Sequence, residues 1–196
     1  MSYHSYTRLT GIVTIAAGAA VIIFNAFLLP KIIPASWEYP GYLTLNILLV
    51  FALTALYTFH LKRSSVLLHL GYALSAVGLF LSIGFSFYAV FAFPTLRAQF
   101  PDAVGAVLSG PMNTALLASM LLGVVGNLLF YVALLLAREI PRWAAIVLIT
   151  AAVLSIAMLP YNIPALLASI GLIGAGVSMV SPGNIVVAQA GATPAD

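Results

Sequence analysis

The sequence predicts an all-α protein, a polytopic transmembrane bundle of six helices with both termini in the cytoplasm. Three observations carry this. Of the 196 residues, 63% are hydrophobic and only 6% charged, whereas a soluble domain carries about 25% charged residues. The apolar residues also fall into long runs. The longest is the uncharged stretch of 33 residues between Arg63 and Arg97. Third, the basic residues divide unequally between the two sides of the predicted bundle. Arg8, Lys62, Arg63, Arg138 and Arg142 fall on one side, and only Lys31 and Arg97 on the other. The richer side holds both termini and, by the positive-inside rule, faces the cytoplasm.

The organising element is the stretch from Leu67 to Phe91. A hydrocarbon core about 30 Å thick takes roughly 20 apolar residues of helix to cross. Backbone amides in lipid must pair within their own segment, so the run is helical. Gly71, Ser75, Gly78 and Ser82 recur every three or four residues on one face, continued by Phe85 and Ala89. Small residues let a second helix approach closely, which is what drives association in lipid. This helix therefore belongs at the centre of the bundle.

The other spans follow in order. The first runs from Leu9 to Leu29, with Gly11, Thr14, Gly18 and Asn25 on one face, and ends at Pro30. Its apolar run exceeds the 7–15 residues of a signal-peptide core, so it is expected to be retained. Lys31 to Pro40 is a proline-rich loop whose Trp37 and Tyr39 suit the membrane interface. The second span is 41–60, with Asn46, Leu53, Tyr57 and His60 on one side, followed by a tight basic hairpin. After the central helix, Leu96, Phe100, Val104 and Val107 recur at helical spacing, so part of 93–111 is expected to lie along the membrane surface, broken at Pro101.

The fourth span is 112–137, with Ala115, Ser119 and Gly126 on one face, Gly123 beside them and Asn127 at the edge. The fifth, 143–159, is short. The sixth, 165–180, carries Ala168, Gly171, Ala175 and Ser178 as a small seam and stops at Pro182-Gly183. Together, 1–182 form one transmembrane domain, followed by a tail over 183–196. Leu29-Pro30-Lys31-Ile32-Ile33-Pro34 echoes Leu159-Pro160-Tyr161-Asn162-Ile163-Pro164. A favourable outer turn used twice explains this better than an internal repeat does, since nothing else in the two halves aligns.

The sequence excludes more chemistry than it supports. There is no cysteine, hence no thiolate catalysis and no cysteine metal site. All eleven Asp, Glu, Lys and Arg lie in loops, at helix ends or in the tail. An ionisable residue within a span is the usual mark of ion or proton coupling, so the pattern argues against a pump or proton antiporter. The short basic loops read as orientation signals rather than a nucleic-acid surface. No nucleophile stands beside a base, and the glycines lie inside spans rather than in a phosphate loop. No enzyme site and no cofactor are expected.

Two sets of polar residues remain. His60 and His69 flank the basic hairpin, and two facing histidines can ligate haem. Neither has a carboxylate nearby to orient it, and interfacial histidines with one wet nitrogen are ordinary. Asn25, Asn46 and Asn113 fall toward the outer half. With Tyr88 they can line an outward-opening pocket for a lipid, a quinone or another small apolar molecule. The favoured reading is that they bond between helices instead, at about 0.6–2 kcal/mol each.

Arg8-Leu9-x-Gly11 opens the first span and Leu29-Pro30 closes it. Gly71 and Gly78 mark the central helix, Phe93-Pro94 its exit, and Gly110-Pro111 the approach to the fourth span. In this order of features the chain resembles a loose group of uncharacterised six-helix bacterial integral membrane proteins. The resemblance covers about residues 8–180 and implies a multi-pass bacterial inner-membrane protein, without implying an activity. The leading functional expectation is an accessory component, not an enzyme. It would pack against partner membrane proteins or itself through small-residue faces in excess of what a small bundle consumes. Gly71, Ser75, Gly78, Ser82, Gly126 and Gly171 are the packing residues expected to matter most.

Overall fold

A computed structural model describes residues 3–28, 37–61, 65–100, 110–138, 140–156 and 162–181. The helices among them are α1 (Tyr3–Leu28), α2 (Glu38–His60), α3 (Val66–Phe91), α4 (Phe93–Gln99), α5 (Pro111–Ala137), α6 (Arg142–Ile156) and α7 (Asn162–Val180). Five of them (α1, α2, α3, α5 and α7) are long and apolar enough to cross a membrane, which gives the chain the build of a multi-pass membrane protein. The expected fifth span is a shorter apolar helix of 15 residues, α6. The first Leu-Pro-x-x-Ile-Pro turn (29–34), the first half of the second (159–161), the basic pair Lys62-Arg63, most of the second half of the 93–111 connection and the tail lie outside the described residues.

Several helices begin earlier than expected. α1 extends back through Tyr3, because Thr7 and Thr10 are buried and the Thr10 hydroxyl is absorbed by the Thr7 carbonyl at 2.8 Å. α2 starts at Glu38 and α7 at Asn162, so Pro40 and Pro164 both sit in a first turn. There a missing N–H costs nothing, since those amides have no intrahelical acceptor. α3 is capped by the Ser65 hydroxyl, which accepts from Leu68 N at 3.1 Å. α5 starts on Pro111 and ends at Arg138, whose φ of 59° puts it in the left-handed region. Glycine is the usual residue at such a helix end. An arginine there costs about 1 kcal/mol or more but sets a positive charge at the negative end of the helix dipole. The start of the 93–111 connection is the short α4, which buries no residue.

The six longer helices form a ring in chain order, with α1 packed on α2, α2 on α3, α3 on α5, α5 on α6, α6 on α7, and α7 back on α1. The most extensive contacts are α3 with α5 and α1 with α7, while packing across the ring is slight. The larger side chains fill one end. Leu53 and Leu56 of α2, Leu68 of α3, Phe130, Tyr131 and Leu134 of α5, Ile140, Leu148 of α6, and Leu172 and Met179 of α7 form one buried cluster. It lies where α2 ends and α3 begins, the end that carries the basic connections.

α5 has 27 residues and α6 only 15, or about 40 and 22 Å of helix. A four-residue link joins them, so α6 covers only the nearer half of α5. The consequence is visible in burial. From Asn113 to Leu121 every residue of α5 is exposed except Leu116, which is half-buried, and Ser119, which faces α3.

Candidate functional site

The small seam of α3 meets the small seam of α5. A methyl group placed on Gly78 would lie 2.6 Å from Gly123 Cα and 3.0 Å from the Ser119 carbonyl oxygen. One placed on Gly71 would lie 2.7 Å from Phe130 Cα, and one on Gly126 would lie 2.7 Å from the Leu74 carbonyl carbon. These helices touch backbone to backbone. Polar groups then bond across the contact. Ser119 Oγ donates to the Gly78 carbonyl at 2.8 Å, so its 2.8 Å contact with Ser82 Oγ must have Ser82 as donor. Ser75 is fully buried in the same seam, and its hydroxyl finds no acceptor there. Replacing Ser119 with alanine keeps the fit and removes both bonds. At about 0.6–1.7 kcal/mol per interhelical bond, unfolding in detergent is expected to cost 1–3 kcal/mol less, read as a shifted denaturation midpoint.

The remaining seams are also consumed within the chain. A methyl on Gly11 would lie 2.8 Å from the Gly176 carbonyl oxygen, and one on Gly18 the same distance from that of Ser169, which joins α1 to α7. Gly171 abuts Leu148 and the Ala144 carbonyl of α6. These glycines are therefore used in closing the ring. Gly84 of α3 differs. A methyl there meets nothing within 4 Å. Gly84 helps line a notch of 110 Å³ between the C-terminal half of α3 and the N-terminal half of α5, with Leu81, Phe85, Met112, Ala115 and Leu116.

The structure does not gather the four residues expected to line a pocket. Asn25 is fully buried on α1 and donates back to its own Val21 carbonyl at 2.8 Å. Its Oδ1 is buried without a partner. Asn46 joins α2 to α3 through a long 3.4 Å bond to Ser86 Oγ. Tyr88 meets Phe93 edge-on at 6.4 Å. Asn113 is exposed on α5. None of the four lines the notch beside Gly84, and only Asn46 bonds between helices.

The histidines take separate partners. His60 is fully buried, and its Nδ1 lies 2.6 Å from the Leu56 carbonyl one turn back. A carbonyl only accepts, so Nδ1 carries the proton. His69 is exposed, with Nδ1 2.7 Å from the Tyr57 hydroxyl. Tyr57 in turn stacks on Tyr72, with centroids 4.0 Å apart and an interplanar angle of 10°. The Tyr72 hydroxyl lies 3.3 Å from Thr54 Oγ1. This α2–α3 cluster was missed from the sequence, although the signal was there. Tyr57 and His69 are equally far from Arg63 in the chain, as are Thr54 and Tyr72. Two antiparallel helices on a tight turn place such pairs side by side. Among the described residues no three His, Asp or Glu gather closely enough to hold a metal ion.

Compared with family models, with curated proteins and with solved structures, the chain matches none of them.

Proposed function

We propose that the protein is a non-enzymatic component of a bacterial inner membrane, crossing it six times with both termini cytoplasmic. It works by packing the outer half of its α3–α5 hairpin against a helix of a partner membrane protein or of a second copy. The observation that supports this reading is the make-up of the uncovered face. This face exposes Gly84, Asn113, Thr114, Ala115 and Ala118 together with the larger Leu81, Leu117, Met120 and Leu121. Small residues permit close helix contact, and amide and hydroxyl groups bond across it.

The absence of cysteine makes the test direct. Gly84→Cys and Ala118→Cys each introduce a single thiol on this face, and Ile146→Cys introduces one on α6. Oxidative cross-linking in native membranes is expected to trap the first two in a larger species. A mass of two copies means self-association, and any other mass means a partner. If all three variants stay monomeric, and the protein extracted in mild detergent has the mass of one chain, the reading is wrong.

A second reading rests on Asn25. An unpaired buried amide oxygen is costly, and a hydroxyl of a bound lipid, or of a quinone in its reduced form, would satisfy it as donor. Co-purification of such a molecule, lost in Asn25→Leu, would favour this over packing.

A further inference from the structure

A groove of 470 Å³ runs along α7 at its contact with α6. Its volume is within the range of about 300–1,000 Å³ usual for ligand pockets. One wall is Trp143, held in place because its ring lies against Gly174, where any side chain would collide with it. The length of the groove follows Ile170, Gly174, Val177 and Ser181 down one face of α7. Eleven residues of helix rise about 16 Å, close to half of a hydrocarbon core about 30 Å thick. The groove therefore runs from mid-membrane depth to the membrane surface, as an acyl chain does.

At the surface end stand Arg142, the first residue of α6, and Arg138, both exposed. Arg138 is held there in the left-handed conformation. Glu139 is the one acid in this loop, so the rim is net basic. The serines at the same end do not compete for a ligand. Ser178 Oγ donates to the Ala175 carbonyl at 2.7 Å and Ser181 Oγ to that of Val177 at 2.9 Å. Arg142 lies in the chain between the lining residues Pro141 and Trp143, and Arg138 three residues before Pro141, so this end of the apolar slot carries two arginines and an indole.

We propose that the α6–α7 groove binds one anionic phospholipid, its acyl chain along Ile170–Ser181 and its phosphate on Arg142 and Arg138. Basic rims between transmembrane helices favour anionic headgroups, and each arginine near the surface is worth about fivefold in affinity. The site lies at the opposite end of the bundle from Asn25 and on a different face from the α3–α5 notch, so it stands independently of the proposed function.

The test uses the full chain in bilayer discs of equal phosphatidylglycerol and phosphatidylcholine, extracted gently and weighed by native mass spectrometry. Wild type is expected to retain phosphatidylglycerol in preference to phosphatidylcholine. The double variant Arg138→Gln/Arg142→Gln should lose that preference by about fivefold per arginine. Val177→Trp, at an exposed position that fills the groove, should retain neither lipid while unfolding at the wild-type temperature. Arg97→Gln on α4, an exposed arginine outside the groove, should behave as wild type. An unchanged preference in the double variant, or lipid retention in Val177→Trp, overturns the proposal. So does a wild type that retains neither lipid, because the groove would then hold the chain itself or a second copy.

Discussion

Gly126→Leu is expected to be the most damaging single substitution in the chain. At Gly126 the neighbours a side chain would meet are backbone atoms of Leu74 and Ser75, with Ser75 Oγ at 2.8 Å. A flexible side chain can rotate out of the way, but a helix backbone cannot. To admit leucine, α3 and α5 must move apart along the most extensive helix contact in the molecule. That separation also breaks the Ser119–Gly78 and Ser82–Ser119 bonds. Overpacking in a tight core costs about 1–3 kcal/mol, occasionally more, and with no yielding neighbour the cost should reach or exceed about 3 kcal/mol. Thermal unfolding in detergent should show a large drop, or the variant should fail to accumulate. Gly84→Leu is the control on the same pair of helices. It meets nothing within 4 Å, so its stability should stay within about 0.5 kcal/mol of wild type. If the two leucines cost the same, the seam is not what holds α3 to α5.

The contrast between Gly126 and Gly84 shows what the sequence carries and what it does not. The spans were legible because a long apolar run allows only a helix in lipid. The face bearing Gly71, Ser75, Gly78 and Ser82 was legible because the helical period puts them on one line. Such a line says that another backbone comes close, but not which one. Nothing in local spacing distinguishes a seam consumed inside the chain from one left for a partner. Gly84 looks from the sequence like one more packing glycine, yet it opens outward, with nothing within 4 Å of where its side chain would be. The Asn set was placed from the sequence by depth alone. Placing Asn25, Asn46, Tyr88 and Asn113 at similar depth does not set their directions about their helices, and each takes its own. The Tyr57–His69 pair was the opposite case, fixed by simple counting from the turn.

The ring closure is the feature least accessible from sequence, and it gives the second large effect. Gly176 of α7 faces Gly11 and Ile15 of α1. A methyl on Gly176 would lie 2.7 Å from the Gly11 carbonyl oxygen and 3.0 Å from Ile15 N. Gly176→Leu should therefore pry the first helix from the last while leaving the α3–α5 seam intact. The cost should approach that of Gly126→Leu, about 2–3 kcal/mol, since backbone again meets side chain. The consequences should differ in kind. Opening at α3–α5 breaks the centre of the chain, whereas opening at α1–α7 frees two helices that have other neighbours, α2 and α6. Amide hydrogen exchange in detergent separates the two cases. In Gly176→Leu, protection should fall along α1 and α7 and persist in α3 and α5, because elements open locally when their own contacts are lost. If protection fell uniformly over all six longer helices, the ring would behave as one cooperative unit, and the closure would be no weaker a joint than the central pair.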